Sequence, residues 1–323
     1  MGVQEKTRLA PGVHFDVEDA VYHADPCDRP SLSSTLARTL LDQSPLHAWC
    51  SHPRLNPDWE PTHKAHFDIG RAAHSAVLGK GGKYCAIPDQ LLSADGGVRT
   101  KAAKEWVEEA REHHFTPQKP PEYAQLDIMQ TKVHDKLDQC RIWLDTDRSE
   151  VCAIAEIDDC LCRVLMDNVP EDPGLPIYDF KTTTDASVEK CIKAVVNYGY
   201  DTQAAHYTDV WYAATGEKRN FRFIFQEKDA PFEVTIVELD EAAMMLARRK
   251  TKRAREIWRQ CISTNHWPGY PTGIQKISTP SWAQEKWFER ESAEADFKKT
   301  YGRDILDNAR RWQAPLIMEG TQQ

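Results

Sequence analysis

The chain has 323 residues, of which 41% are hydrophobic and 28% charged, with a formal net charge of −9; that is enough for a buried core in one large domain or two ordinary ones. No apolar run approaches the roughly 18–20 residues needed to cross a bilayer, and residues 1–11 lack the apolar stretch of a secretory signal, so a cytoplasmic protein without membrane contact is expected. The acidic balance argues against a general nucleic-acid coat, whose affinity comes from Lys and Arg on phosphates, and leaves room only for a local basic groove.

In chain order, residues 1–20 read as a flexible N-terminus. Ser31 to Ser34 precede the apolar-periodic run 35–41, which predicts a serine-capped helix ending at Pro45. Residues 51–61 lead to a second helix over 66–78, with an apolar stripe that includes Phe67, Ala73 and Val77, closed by the glycines of 79–82. A charged helix follows over 100–113, a proline-marked loop over 117–121, and a long helix over 124–144. To this point the chain reads as helical.

The character changes at 151–157 and 160–166, two runs rich in β-branched and apolar residues joined by Asp158 and Asp159. These predict a hairpin with a two-residue turn. Residues 168–176, with three prolines and a glycine, form a loop before a short third strand at 177–180. Helices are expected at 186–196 and 202–214, strands at 221–225 and 232–238, and a long helix at 241–262 stopped by Trp267 to Tyr270. The remainder, 281–312, is charged and helix-prone. This order gives an α/β fold, a small mixed sheet flanked by helices with a helical N-terminal elaboration.

Nine cysteines are scattered with no C-x-x-C pair, which argues against a zinc knuckle or thioredoxin-like site. Cys160 and Cys162 share one strand face and read as apolar fillers of a reduced protein.

The sharpest chemical signal is Asp167 at the end of the hairpin, followed by a loop and by Asp179 and Lys181 on the next strand. Strand periodicity puts Asp179 and Lys181 on one face. Two clustered carboxylates can hold Mg²⁺, a hard cation that prefers oxygen ligands; the metal activates water and stabilises the attacking and leaving oxygens of a phosphodiester. A nearby ammonium orients that water or stabilises the developing charge. The same tripeptide spacing at Asp296 and Lys298 lies in a charged helical stretch and reads as a solvated face.

His74 sits four residues after Gly70 in an apolar helix, either a core histidine or a metal ligand. Gln203 and Tyr207 fall on one helix face at i, i+4, either an ordinary amphipathic pair or polar support beside the site. Glu156 on the hairpin is an acidic participant or a plain surface charge. Arg71, Lys190 and Lys193 flank the site residues as candidate phosphate contacts.

Taken together, His74 after Gly70, Arg163 with Asp167, Asp179 to Thr183, and Gln203 with Tyr207 occur in an order that resembles the RecE-type exonucleases (exonuclease VIII family) of the PD-(D/E)XK superfamily. Tyr22-His23, Pro30 to Ser34 and Ser44-Pro45 are similar to that family's opening stretch, and Trp267 to Tyr270 to its closing segment. The resemblance implies a PD-(D/E)XK nuclease domain over 21–275 with a helical C-terminal tail over 276–323. It implies His74, Asp167 and Asp179 as metal ligands for Mg²⁺ (with Mn²⁺ substituting), Lys181 as the catalytic lysine, and Gln203 and Tyr207 as the supporting catalytic pair.

The implied activity is 5′-to-3′ exonuclease action on linear double-stranded DNA ends, leaving 3′ overhangs for a RecT-like single-strand annealing protein. A homo-oligomeric ring and a phage or prophage origin in a bacterial cell are implied too. One departure is Met166, where the family pattern has proline. An endonuclease of the same superfamily and a non-catalytic DNA-end binding protein are the alternative readings.

Overall fold

The computed structural model describes residues 8–60, 68–79, 83–113 and 115–304. The N-terminal half supplies β1 (Gly12–His14), α1 (Asp19–His23), α2 (Ser34–Asp42), α3 (Pro45–Cys50), α4 (Asp68–Leu78), β2 (Lys83–Ala86), α5 (Lys101–Glu112), β3 (Phe115–Gln118) and α6 (Pro120–Gln139). It is followed by β4 (Ser149–Ile157), β5 (Cys160–Asn168), β6 (Ile177–Thr183), α7 (Val188–Asn197), α8 (Tyr200–Thr215), β7 (Phe221–Glu227), β8 (Val234–Glu238), α9 (Glu241–Thr264) and α10 (Ser281–Tyr301).

Local chemistry accounts for most boundaries. Ser33 caps α2 by accepting the Leu36 N–H, and Thr100 caps α5 through Ala103, satisfying donors that an open helix start leaves orphaned. Pro45 does not simply end α2: it opens α3 at its first turn, capped by Ser44, because proline has no N–H to lose there. Likewise the stretch 117–121, expected as a loop, is divided between β3 and the start of α6. Residues 12–14, within the stretch expected to be flexible, pair with β4. The predicted second helix is α4; positions 66, 67 and 80–82 lie outside the described residues.

Six strands form one mixed sheet in the order β1-β4-β5-β6-β7-β8, with β6 and β7 parallel and the other pairs antiparallel. The β4–β5 hairpin turns on Asp158 and Asp159, both with positive φ, the backbone that a two-residue turn of matching twist requires. A second, two-stranded parallel sheet joins β2 to β3.

One sheet face carries Val151, Ala153, Val164, Met166, Ile177, Phe223 and Phe225 against helices α2, α7, α8 and α9. The other carries Tyr178, Phe180 and Ile224 against α4 and α6. The alternation along β6 is the period-2 pattern of a strand buried on both sides. Each fully buried large apolar side chain contributes about 1.5–3 kcal/mol, so α4 and α8, which bring the site residues, are held firmly on opposite faces. Met166 is fully buried and pairs with Val151, a ladder position that it fills without a proline's missing donor.

The chain forms two compact units, one reaching Tyr270 and the other beginning at Pro271. In the second, α10 has no buried residue, and Asp296 and Lys298 both lie exposed on it. Among the described residues, no helix is long and apolar enough to cross a membrane.

Candidate active site

The site forms where β5 and β6 part. They share a single registered pair, Asn168 with Tyr178; one antiparallel step further brings Asp167 opposite Asp179, and beyond that the strands diverge. The divergence leaves the Phe180 N–H without a ladder acceptor, and Asp167 Oδ2 takes its place at 2.7 Å. The same oxygen lies 3.0 Å from His74 Nε2 on α4. From the other sheet face, Gln203 on α8 donates from Nε2 to Asp179 Oδ2 at 2.6 Å, and Lys181 forms an ion pair with Asp179 Oδ1.

Of the residues picked from the sequence, His74, Asp167, Asp179, Lys181 and Gln203 therefore converge. Tyr207 stands one turn behind Gln203, buried and edge-on to Phe221 at 5.8 Å; its hydroxyl is in hydrogen-bond contact with Gln203 and close enough to Asp179 and Asp167 to feel their charge. Arg163 does not reach them either. Its guanidinium donates to the Ser31 carbonyl and hydroxyl at 2.8 and 2.7 Å and lies 3.3 Å from Asp25. Asp25 in turn meets buried His52 at 3.1 Å, so Arg163 fastens the N-terminal segment behind β5. Glu156 pairs with Arg29 at 2.7 Å at the hairpin end of β4, away from the site. Lys193 pairs with Glu189 along α7 at 2.6 Å and Lys190 is exposed; the Arg71 side chain lies outside what is described.

Two neighbours escaped the sequence reading. Glu150 on β4 lies across the ladder from Asp167, between the pairs Ser149–Asn168 and Val151–Met166, and its Oε1 is 3.8 Å from His74 Nδ1. Counting back from the Asp158–Asp159 turn gives this register. Tyr200, three residues before Gln203 on α8, holds its ring 5.1 Å from the Lys181 ammonium, a cation–π distance; the i, i+3 spacing from Gln203 was the available signal.

The electrostatics are those of crowded, buried acids. Burial, and then the charge of Asp167, push the Asp179 carboxyl up to about 7, against the pull of Lys181. Burial also opposes ionisation of Asp167, but His74, Lys181 and the Phe180 N–H outweigh it and hold its pKa below the usual value. Burial works against protonated His74, yet Asp167 and Glu150 raise its pKa. Lys181 is raised in the same way, the two aspartates overcoming its desolvation.

Among the described residues, no three His, Cys, Asp or Glu side chains are already gathered to hold an ion; instead His74 and Lys181 stand against the carboxylates. The donor set nevertheless fits a divalent cation. Asp179 Oδ1 is buried and, among the described residues, meets only the Lys181 ammonium, and a buried carboxylate forced towards neutrality is one that a hard cation would ionise. Asp167 and Asp179 would supply oxygens and His74 Nε2 a nitrogen.

Comparison with known proteins bears on the same segment. A family model described as a PDDEXK-like domain of unknown function (DUF3799) matches residues 41–280. Among solved structures, a putative exonuclease from Eubacterium rectale is similar at 15% identity, covering 83% of this chain and 96% of that one, with a TM-score of 0.54. A phage-related exonuclease from Haemophilus somnus matches at 15% identity over 60% of this chain and 95% of that one, with a TM-score of 0.29. An alkaline exonuclease from Laribacter hongkongensis matches at 9% identity over 62% and 96%, with a TM-score of 0.25. A search of the curated proteins gives no match. The first of these structures establishes the likeness of fold.

Proposed function

Because the chain belongs to the family of PDDEXK-like domains of unknown function (DUF3799), we propose that it is a magnesium-dependent exodeoxyribonuclease acting on the ends of linear double-stranded DNA. The observation that carries the proposal is the convergence of Asp167, Asp179 and Lys181 at the parting of two strands, with His74 and Gln203 fixing the two carboxylates.

Asp167, Asp179 and His74 would hold the metal, which supplies an activated water and a counter-charge for the phosphate. Lys181, whose ammonium pairs with Asp179 in the metal-free site, would orient the attacking water or stabilise the developing oxyanion. Gln203 holds Asp179 Oδ2 in a fixed orientation, and Tyr207 fixes Gln203. Tyr200 confines the lysine side chain to the site.

The 5′-to-3′ direction, the 3′ overhang, a ring of identical subunits and a RecT-like annealing partner form part of the same proposal. They rest on the resemblance of the motif order to that of RecE-type exonucleases, and Mn²⁺ is expected to replace Mg²⁺.

The test is hydrolysis of linear duplex DNA phosphorylated at one 5′ end, beside a closed circular control, with Mg²⁺, with EDTA, and with Lys181→Ala or Asp179→Ala. Loss of one strand from the phosphorylated end, absent on circles, with EDTA and in both variants, is expected. Cutting of circles would move the protein to the endonuclease reading; binding without hydrolysis would make it a DNA-end binding protein.

A further inference from the structure

The turn between α7 and α8 places an exposed aromatic side chain two ring contacts from the proposed catalytic lysine. Tyr198 ends α7 and is 57% exposed. Gly199 follows with φ +63°, and Tyr200 opens α8. The Tyr198 and Tyr200 ring centroids are 5.7 Å apart, and the Tyr200 ring faces Lys181. A line of contacts thus runs from the ammonium through Tyr200 to Tyr198 and out to solvent.

The turn is built rather than loose. A side chain at 199 would meet Arg38 Cδ at 2.6 Å, so glycine is needed both for its φ and for the close approach of Arg38. The Arg38 guanidinium donates to the Tyr198 carbonyl at 2.5 Å, and among the described residues it makes no ion pair. Its positive charge is left at the foot of an open tyrosine ring.

We propose that Tyr198, backed by Tyr200 and Arg38, is a stacking platform for a nucleobase of the DNA strand whose phosphate reaches Lys181. The inference rests on the nuclease reading above and adds the subsite that receives the base beside the reacting phosphate. Three features favour a base over a protein side chain as the occupant. The ring is continuous with the phosphate-cleaving site through Tyr200. The adjoining cation suits a phosphodiester backbone. Stacking also needs only a π-face, which every base has, so such a platform serves an enzyme that must accept any sequence.

The experiment measures Kd by anisotropy for labelled DNA ends in Ca²⁺, which replaces Mg²⁺ to suppress hydrolysis. Two ends are compared, one with normal terminal nucleotides and one with abasic sugars at the same positions. The proteins are wild type, Tyr198→Ala and Tyr198→Phe, each full-length. Tyr198→Ala is expected to weaken binding of the normal end about tenfold, the scale of one stacked base. It should leave the abasic end unchanged, and Tyr198→Phe should behave as wild type.

Equal weakening of both ends by Tyr198→Ala would overturn the proposal in favour of a backbone or structural contact. So would no weakening at all, the result expected of a surface reserved for a protein partner. If the wild type binds neither end, the nuclease reading falls and the platform with it; if it binds both ends equally, only the platform falls. Because Tyr198 is exposed, the alanine variant is expected to melt as wild type does, and the phenylalanine variant guards against a folding artefact.

Discussion

The backbone N–H of Phe180 donates to Asp167 Oδ2 at 2.7 Å, where the neighbouring strand has already turned away. Under the proposed function Asp167 would therefore have two separable jobs, a charge for the metal and an acceptor for a stranded donor. Asp167→Asn keeps an acceptor oxygen and is expected to fold while losing at least about a thousandfold in hydrolysis. Asp167→Ala loses both and leaves the Phe180 N–H unsatisfied, which costs roughly 1–3 kcal/mol more. Urea unfolding of the two variants beside an activity assay separates the roles; equal stabilities would mean that the N–H finds another acceptor.

Asp179 is held against its own charge. Its folded pKa of about 7 lies above the ordinary carboxylate value because of burial and Asp167. A raised carboxylate pKa means that the folded state keeps a proton that the unfolded state has lost. The metal-free protein is therefore destabilised progressively as pH rises from about 4 to about 7. Asp179→Asn removes that penalty, so without metal at pH 8 the variant should unfold at higher urea than wild type. Added Mg²⁺ should then stabilise wild type, by about 2.7 kcal/mol at a hundred times its Kd, and the variant hardly at all. Thermal melts with EDTA and with Mg²⁺ decide it; an undiminished Mg²⁺ effect in the variant would remove Asp179 from the ligand set.

The central sheet could be read from the sequence because its signals are local: β-branched runs on β4 and β5, an Asp–Asp turn, and the apolar strand carrying Asp179 and Lys181. Asp167 and Asp179 come together through hairpin register, which a dozen residues of loop do not disturb. What escaped depends on contacts distant in sequence. Strands β1, β2 and β3 are three or four residues long, too short to show a period, and β3 contains Pro117. Pro45 and Pro120 open helices, a position indistinguishable by composition from a stop. Glu150 has a positive φ of 53°, which no residue-type preference predicts, and its relevance appears only with α4 in place. Arg163 was grouped with Asp167 by sequence neighbourhood, but its partner Ser31 is 132 positions away.

Glu150 and Asp167 stand on either side of His74, at 3.8 Å and 3.0 Å from its two ring nitrogens. A carboxylate on the far nitrogen fixes the tautomer and orientation of a ligating histidine, and its loss typically costs 10–100-fold in metal affinity. Glu150→Gln is accordingly expected to weaken Mn²⁺ binding by about that factor. It should also lower the His74 pKa, since the Glu150 charge is one of the causes that raise it. Calorimetric titration with Mn²⁺ and the ring proton shifts of His74 across pH read the two effects separately. Weaker metal binding with an unmoved His74 pKa would point instead to Glu150 touching the ion itself.

His206 gives the fold a pH dependence separate from the site. It is fully buried on α8 with Nε2 3.4 Å from the Arg163 carbonyl. Burial first, and then the charge of Arg255, hold its pKa down at about 4. The unfolded chain takes up a proton near 6.5 while the folded one refuses it until about 4, so stability falls as pH drops through that window. The full loss is about 3 kcal/mol. His74, whose pKa is raised, acts in the opposite sense and loses its contribution as pH rises. Asp25, held well below the usual carboxylate range despite its burial by hydrogen bonds from His52 and Ser31 and the charge of Arg163, contributes to acid loss mainly below pH 4. His206→Gln removes the titrating group, so unfolding free energies at pH 7, 5.5 and 4.5 should show a flatter slope in the variant than in wild type. Parallel slopes would mean that the buried ring gains a proton acceptor on acidification, and that the acid sensitivity of this fold lies elsewhere.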